Sequence, residues 1–109
     1  MLRIERTPDG EGRVFRLVGE LDSGTRRQFE RVAVGPAGDG GGLTLDLGDL
    51  IACDPSGVES LVSLTRRAQL AGGRLALCSP REQVQQVLHE ANLQISTSLP
   101  DGDAQQVSS

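Results

Sequence analysis

The stretch LTLDLGDLIACDPSGVESLVSLTRRAQLAGGRLALC, residues 43–78, decides the fold. Leu43-Thr44-Leu45-Asp46-Leu47 alternates apolar and polar, the period of a strand. From Val58 to Leu70 the period changes. Val58, Leu61, Val62, Thr65 and Ala68 share one face of a helix, while Ser60, Ser63, Arg66, Arg67 and Gln69 fall elsewhere. Gly72-Gly73 stops that helix. Arg74-Leu75-Ala76-Leu77-Cys78 then reads as a short buried strand. Strand, crossover helix, strand is a unit that pairs in parallel with a right-handed connection.

Working outward, Arg13 to Gly19 is rich in strand formers, and Leu2 to Arg6 is placed to pair with it as a hairpin across Asp9-Gly10-Glu11-Gly12. Phe29, Val32 and Ala33 have helical spacing within Thr25 to Val34, with Asp22 or Ser23 as the cap. Gly35 to Gly42 is expected to be a mobile loop. Ser79-Pro80-Arg81-Glu82 has capping-box form ahead of a helix carrying Val84, Val87, Leu88 and Ala91. Leu93 to Ser98 offers one more short strand. The expectation is one α/β domain over residues 1–99, with a mixed sheet, a terminal antiparallel hairpin, parallel crossover strands and helices packed on the sheet. Residues 100–109 form a polar tail.

The composition narrows the function. A chain of 109 residues has the commonest size of a single domain, and 37% hydrophobic with 24% charged residues describes a folded, soluble one. The net charge of -4 comes without a basic stripe, so direct nucleic-acid binding is not indicated. No stretch approaches the roughly 20 apolar residues of a spanning helix, and Met1 to Arg6 has no signal-peptide core. A cytoplasmic protein with reduced Cys53 and Cys78 follows as the expectation. One histidine, His89, and two cysteines give no dedicated zinc set, and no cofactor is implied.

The chemistry concentrates in Cys53-Asp54-Pro55-Ser56-Gly57, between strand and helix. Ligands meet parallel sheets at the carboxyl ends of strands, and a helix N-terminus there favours a phosphate. A cysteine-dependent phosphoryl-transfer enzyme would use Cys53, but Glu59 stands where a phosphate-binding arginine is needed. The P-loop Lys-Ser or Lys-Thr pair is absent. Two capping frames compete. Ser56 with Glu59 has capping-box spacing, and Asp54 as cap puts Pro55 at the first helical position.

Four segments in register resemble the STAS domain family, over Leu2 to Ile95. Gly19-Glu20-Leu21-Asp22 is similar to its acidic turn. Leu45 to Leu50 followed by Asp54-Pro55-Ser56-Gly57-Val58 is similar to its strand and D-S-S-G-L signature. Gly72 to Leu77 and Val87-Leu88 complete the order. The resemblance implies a bacterial anti-sigma factor antagonist, a binding module and not an enzyme. Its partner would be an anti-sigma factor, usually a serine kinase, that phosphorylates the antagonist in this loop and ends the interaction. The implied interface is Asp22, Asp54, Pro55, Ser56, Gly57 and the exposed helix residues Glu59, Ser60 and Ser63. Pro55 stands at the usual phosphoacceptor position and has no hydroxyl. Ser56 is then either a substitute acceptor or only a cap, and a capping role favours a non-phosphorylatable binder. A STAS subunit of a transporter or signalling complex is the alternative within the fold.

Overall fold

The computed structural model describes residues 1–7 and 13–95. The elements run β1 (Leu2–Arg6), β2 (Val14–Leu21), α1 (Arg26–Ala37), β3 (Leu43–Cys53), α2 (Pro55–Leu70), β4 (Leu75–Cys78) and α3 (Glu82–Glu90). The four strands form one sheet in the order β1-β2-β3-β4. β1 pairs antiparallel with β2, and β2 with β3 and β3 with β4 are parallel. This is the mixed sheet with a terminal hairpin and parallel crossovers expected from the sequence.

Both crossovers step the same way across the sheet, so right-handed connections put α1 and α2 on one face. The core is assembled there. Phe15, Leu17 and Leu21 of β2, Leu43, Leu45, Leu47 and Leu50 of β3, and Leu75 and Leu77 of β4 meet Phe29, Ala33 and Ala37 of α1, and Leu61, Leu64 and Ala68 of α2. Val84 and Leu88 bring α3 into the same cluster. The other sheet face carries a charged row. Glu5, Arg16 and Asp46 are cross-strand neighbours, with Arg16 3.9 Å from Glu5 and 3.5 Å from Asp46.

Several boundaries differ from the sequence reading, each for a physical reason. β3 continues past Leu47 to Cys53, because it gains partners on β2 as far as Leu21. α1 extends to Ala37 through Gly35 and Pro36. The proline lies in the last turn, where it removes the bond its N–H would make to the Val32 carbonyl, and fully buried Ala37 anchors that turn. The serine cap before α3 does not form. Ser79 is left-handed (φ 59°), and the helix begins at Glu82 behind Arg81. Leu93 to Ile95 are not in a strand. The Asp9–Gly12 turn, the rest of the expected last strand and the boundary at residue 99 lie outside the described residues.

The expected mobile glycine loop is pinned. Arg13 donates from Nη2 to the Pro36 carbonyl (2.8 Å) and from Nε to the Gly42 carbonyl, and both of its Nη atoms reach the Asp39 carboxylate at 3.2 and 2.7 Å. A side chain on Gly41 would meet the Arg13 guanidinium carbon at 2.9 Å, so it would displace the group that pins the loop. The Gly41 N–H, and then the Arg13 guanidinium, hold the Asp39 carboxyl below its ordinary range. Arg13→Ala should therefore cost about 1–3 kcal/mol, because two loop carbonyls lose a donor. Urea denaturation of the two chains measures this.

Candidate functional site

The parallel register sets Leu21 beside Cys53, so β2 and β3 end together. The Asp54 N–H donates to the Leu21 carbonyl at 3.1 Å and ties the start of one turn to the other. Each strand then gives way to an acid. The Asp22 carboxylate accepts from the N–H groups of Gly24 (2.9 Å) and Thr25 (3.1 Å), and the Thr25 hydroxyl donates to the Glu20 carbonyl at 2.8 Å. The Asp54 carboxylate accepts from the Gly57 N–H at 2.9 Å. Asp22 and Asp54 thus stand on neighbouring strand ends, each tightening its own turn.

This geometry decides between the two capping frames. Asp54 is extended (φ -90°, ψ 178°) and caps α2, with Pro55 at the first helical position, where a missing N–H costs nothing. The capping box on Ser56 does not form. Ser56 is half-buried, and its hydroxyl makes no hydrogen bond among the described residues. Glu59, which would have completed the box, is drawn away to Arg26 of α1 at 3.1 Å.

Gly57 is buried beneath the loop. A Cβ there would collide with the Leu21 carbonyl oxygen and stand 2.9 Å from the Cys53 sulfur. No side chain fits while α2 starts against the end of β2.

Ser60 corrects the sequence reading. It was expected on the exposed face of α2, but it is fully buried. The inward stripe is Gly57, Ser60, Leu61, Leu64 and Ala68, turned from the Val58, Val62 and Thr65 stripe that hydrophobicity alone favours. The buried hydroxyl donates to Glu30 Oε2 at 2.6 Å, and Arg26 Nη2 donates to the same oxygen at 3.1 Å. The Ser60 hydroxyl, against the opposing effect of burial and with help from Arg26, holds the Glu30 carboxyl below the usual range. Of the predicted helix residues, Glu59 and Ser63 are exposed. They lie three and seven positions after Ser56, and so share one stripe of α2 with it.

Cys53 is buried, and its thiol is pushed up to about 11, first by desolvation and then by the charge of Asp54. Its thiolate is then about one part in ten thousand at neutral pH, which disfavours it as a nucleophile. Among the described residues, no group of three or more His, Cys, Asp or Glu could hold a metal ion, and no helix is long and apolar enough to cross a membrane.

One feature escaped the sequence reading. The register advances from Gly19–Leu50 to Glu20–Ala52, which leaves Ile51 as an extra residue in a β-bulge, 47% exposed. Ala52 and Pro55 are exposed beside it. The signal was present in the leucine spacing: buried residues step by two through Leu43, Leu45 and Leu47, then by three to Leu50 and Cys53.

Over residues 5–100 the sequence matches the family model described as "Mlab, STAS domain". No curated protein matches the chain. The structure is similar to that of TM1081 from Thermotoga maritima, described as a candidate anti-sigma factor antagonist, with a TM-score of 0.70 and 23% identity over 93% of this chain and 90% of that one. It is also similar to the anti-sigma factor antagonist SpoIIAA in its unphosphorylated form, with a TM-score of 0.66 and 17% identity over 93% and 92% of the two chains. An NMR structure of TM1081 aligns with a TM-score of 0.66 and 21% identity over 93% of this chain and 84% of that one. At these identities the likeness is one of fold.

The capping assignment has a direct consequence. Asp54→Ala should lower stability by about 1 kcal/mol, whereas Ser56→Ala should stay within about 0.5 kcal/mol of the parent. Equal losses in urea denaturation would contradict the assignment. For Glu30, the folded-state pKa lies below the unfolded one. Its contribution to stability is present above the ordinary carboxylate range and is lost as pH falls through the lowered value. The stability gap between the parent and Glu30→Gln should be full at neutral pH and narrow in acid, read by melts across that range.

Proposed function

The chain belongs to the STAS domain family, and on that premise we propose that it is an anti-sigma factor antagonist, a binding module that engages an anti-sigma factor and so releases a sigma factor. The observation that carries this reading is the pairing of the Asp22 and Asp54 turns at the carboxyl ends of adjacent parallel strands, beside the first turn of α2. The contact surface is the Asp22 turn, Asp54-Pro55-Ser56, and the α2 stripe of Glu59 and Ser63. Gly57 and Ser60 are buried beneath it and shape it.

Pro55 removes the hydroxyl from the position where the resembling family accepts phosphate. The main reason to regard Ser56 as unavailable was a capping role, and Asp54 holds that role. In this reading Ser56 is the acceptor. It occupies the second position of α2, where free N–H groups and the helix dipole stabilise a phosphate. A phosphoserine brings about -1.5 to -2 of charge. Asp54 lies two positions before it and Glu59 three after it, so the addition falls on an already acidic surface and disfavours a docked partner.

The partner is identified by affinity capture from the native cell followed by mass spectrometry. Recovery of a kinase-type anti-sigma factor supports the proposal, and recovery of a transporter ATPase supports a STAS subunit of a transporter instead. With the purified kinase and ATP, phosphate should appear on a peptide containing Ser56 and be absent from Ser56→Ala. Phosphorylation only after Pro55→Ser would make the natural chain a non-phosphorylatable binder.

A further inference from the structure

β1 lies at one edge of the sheet, and its backbone leaves an open ladder. The Glu20 N–H donates to the Met1 carbonyl at 2.8 Å, and the Thr7 N–H donates to the Val14 carbonyl at 3.0 Å. Antiparallel ladder bonds recur at every second residue. Arg3 and Glu5 therefore turn their backbone groups towards β2, and Leu2, Ile4 and Arg6 turn theirs to the edge. Of these outward groups, the Leu2 carbonyl accepts from Gln28 Nε2 at 2.8 Å. Those of Ile4 and Arg6 have no partner among the described residues.

Charged side chains on an edge strand usually prevent unwanted pairing. Here they are arranged so that one pairing escapes the prohibition. The strand reads Leu2-Arg3-Ile4-Glu5-Arg6, and Ile4 is its centre. An antiparallel copy turned about a twofold axis at Ile4 sets Arg3 opposite Glu5, and Glu5 opposite Arg3. Ile4 meets Ile4 in a pair that exchanges both backbone bonds. Sliding the copy by two residues sets Arg3 against Arg3 or Glu5 against Glu5. Sliding by one puts the side chains on the wrong faces. Like charges directly opposite destabilise a pair and opposite charges stabilise it, so the charge pattern selects a single register. The groups needed are accessible. The Arg3 and Glu5 side chains are 67% and 38% exposed, their contact with each other is an ion pair within one strand at 2.8 Å, and Glu5 keeps Arg16 at 3.9 Å on its other oxygen. Such an exposed pair holds its members weakly, and exchanging it for the intermolecular pair sacrifices little.

We propose that a second copy of this chain docks on β1 by antiparallel strand addition about a twofold axis at Ile4, with two reciprocal Arg3–Glu5 ion pairs, giving a continuous eight-stranded sheet. A five-residue edge covers less than the roughly 800 Å² per partner of a standard interface, so the dimer is reversible and populated at high protein concentration. It leaves the Asp22 and Asp54 turns open on both copies.

Sedimentation velocity from micromolar to millimolar protein tests this. The parent chain should shift from monomer to dimer, and added salt should oppose the shift. Arg3→Glu and Glu5→Arg should each weaken the dimer about tenfold or more, since each sets like charges opposite one another at two places. An equimolar mixture of the two variants should recover a dimer, because an acidic strand then meets a basic one. A parent chain that remains monomeric at millimolar concentration overturns the proposal. So does a dimer indifferent to both reversals, or a mixture that stays monomeric.

Discussion

The carbonyl of Leu21 is the point on which the candidate site turns. It accepts the Asp54 N–H, which fixes where β3 ends relative to β2. The same oxygen lies so close to Gly57 that a Cβ would collide with it. One backbone atom therefore sets the start of the Asp54 turn and the seat of the first turn of α2. With β2 and β3 ending level, Asp22 and Asp54 open adjacent turns, and the half-buried Ser56 is presented between cap and helix.

This close approach also explains which parts of the structure were legible. Alternation in Leu43 to Leu47, helical spacing after Val58 and the Gly72-Gly73 stop are local patterns, and they yield the crossover unit and the sheet. The inward face of α2 is not local. Hydrophobicity favours Val58 and Val62, but a helix that must sit against a strand end needs small residues where it touches. Gly57 meets that need, and buried Ser60, three residues on, faces Glu30 of α1, so the inward stripe is turned round. A serine is tolerable at full burial because Glu30, thirty residues earlier, accepts its hydrogen. No window along α2 contains that partner.

The cap of α2 was half legible. Both frames satisfy the local rules, and what separates them is a contact at a distance in sequence. Glu59 pairs with Arg26, which leaves Ser56 without its return bond. Asp54 is already extended and tied to Leu21, so it meets the geometric requirement of a cap before the helix begins. The exposed bulge at Ile51 is the opposite case. The three-residue steps between Leu47, Leu50 and Cys53 announce it, because a regular strand cannot bury residues at that interval. The outcome places an apolar side chain on the surface next to the acidic turns.

The electrostatics around Ser56 follow from these constraints. Arg26 is the cation at this end of α2 that the structure shows engaged, and it is shared by Glu30 and Glu59. Its contact with Glu30 is reinforced by the buried Ser60 hydroxyl, so the guanidinium is held by the packing of α1 against α2. A phosphate on Ser56 would have to compete with two carboxylates for that cation. The remaining favourable groups are the free N–H donors of the helix start, and one of these, from Gly57, already serves Asp54. A docked protein that covers this surface excludes the water that screens the charge. In the proposed complex the same phosphate would then be less well tolerated than in the free domain, and the asymmetry would arise from ordinary capping and packing, with no movement of the sheet.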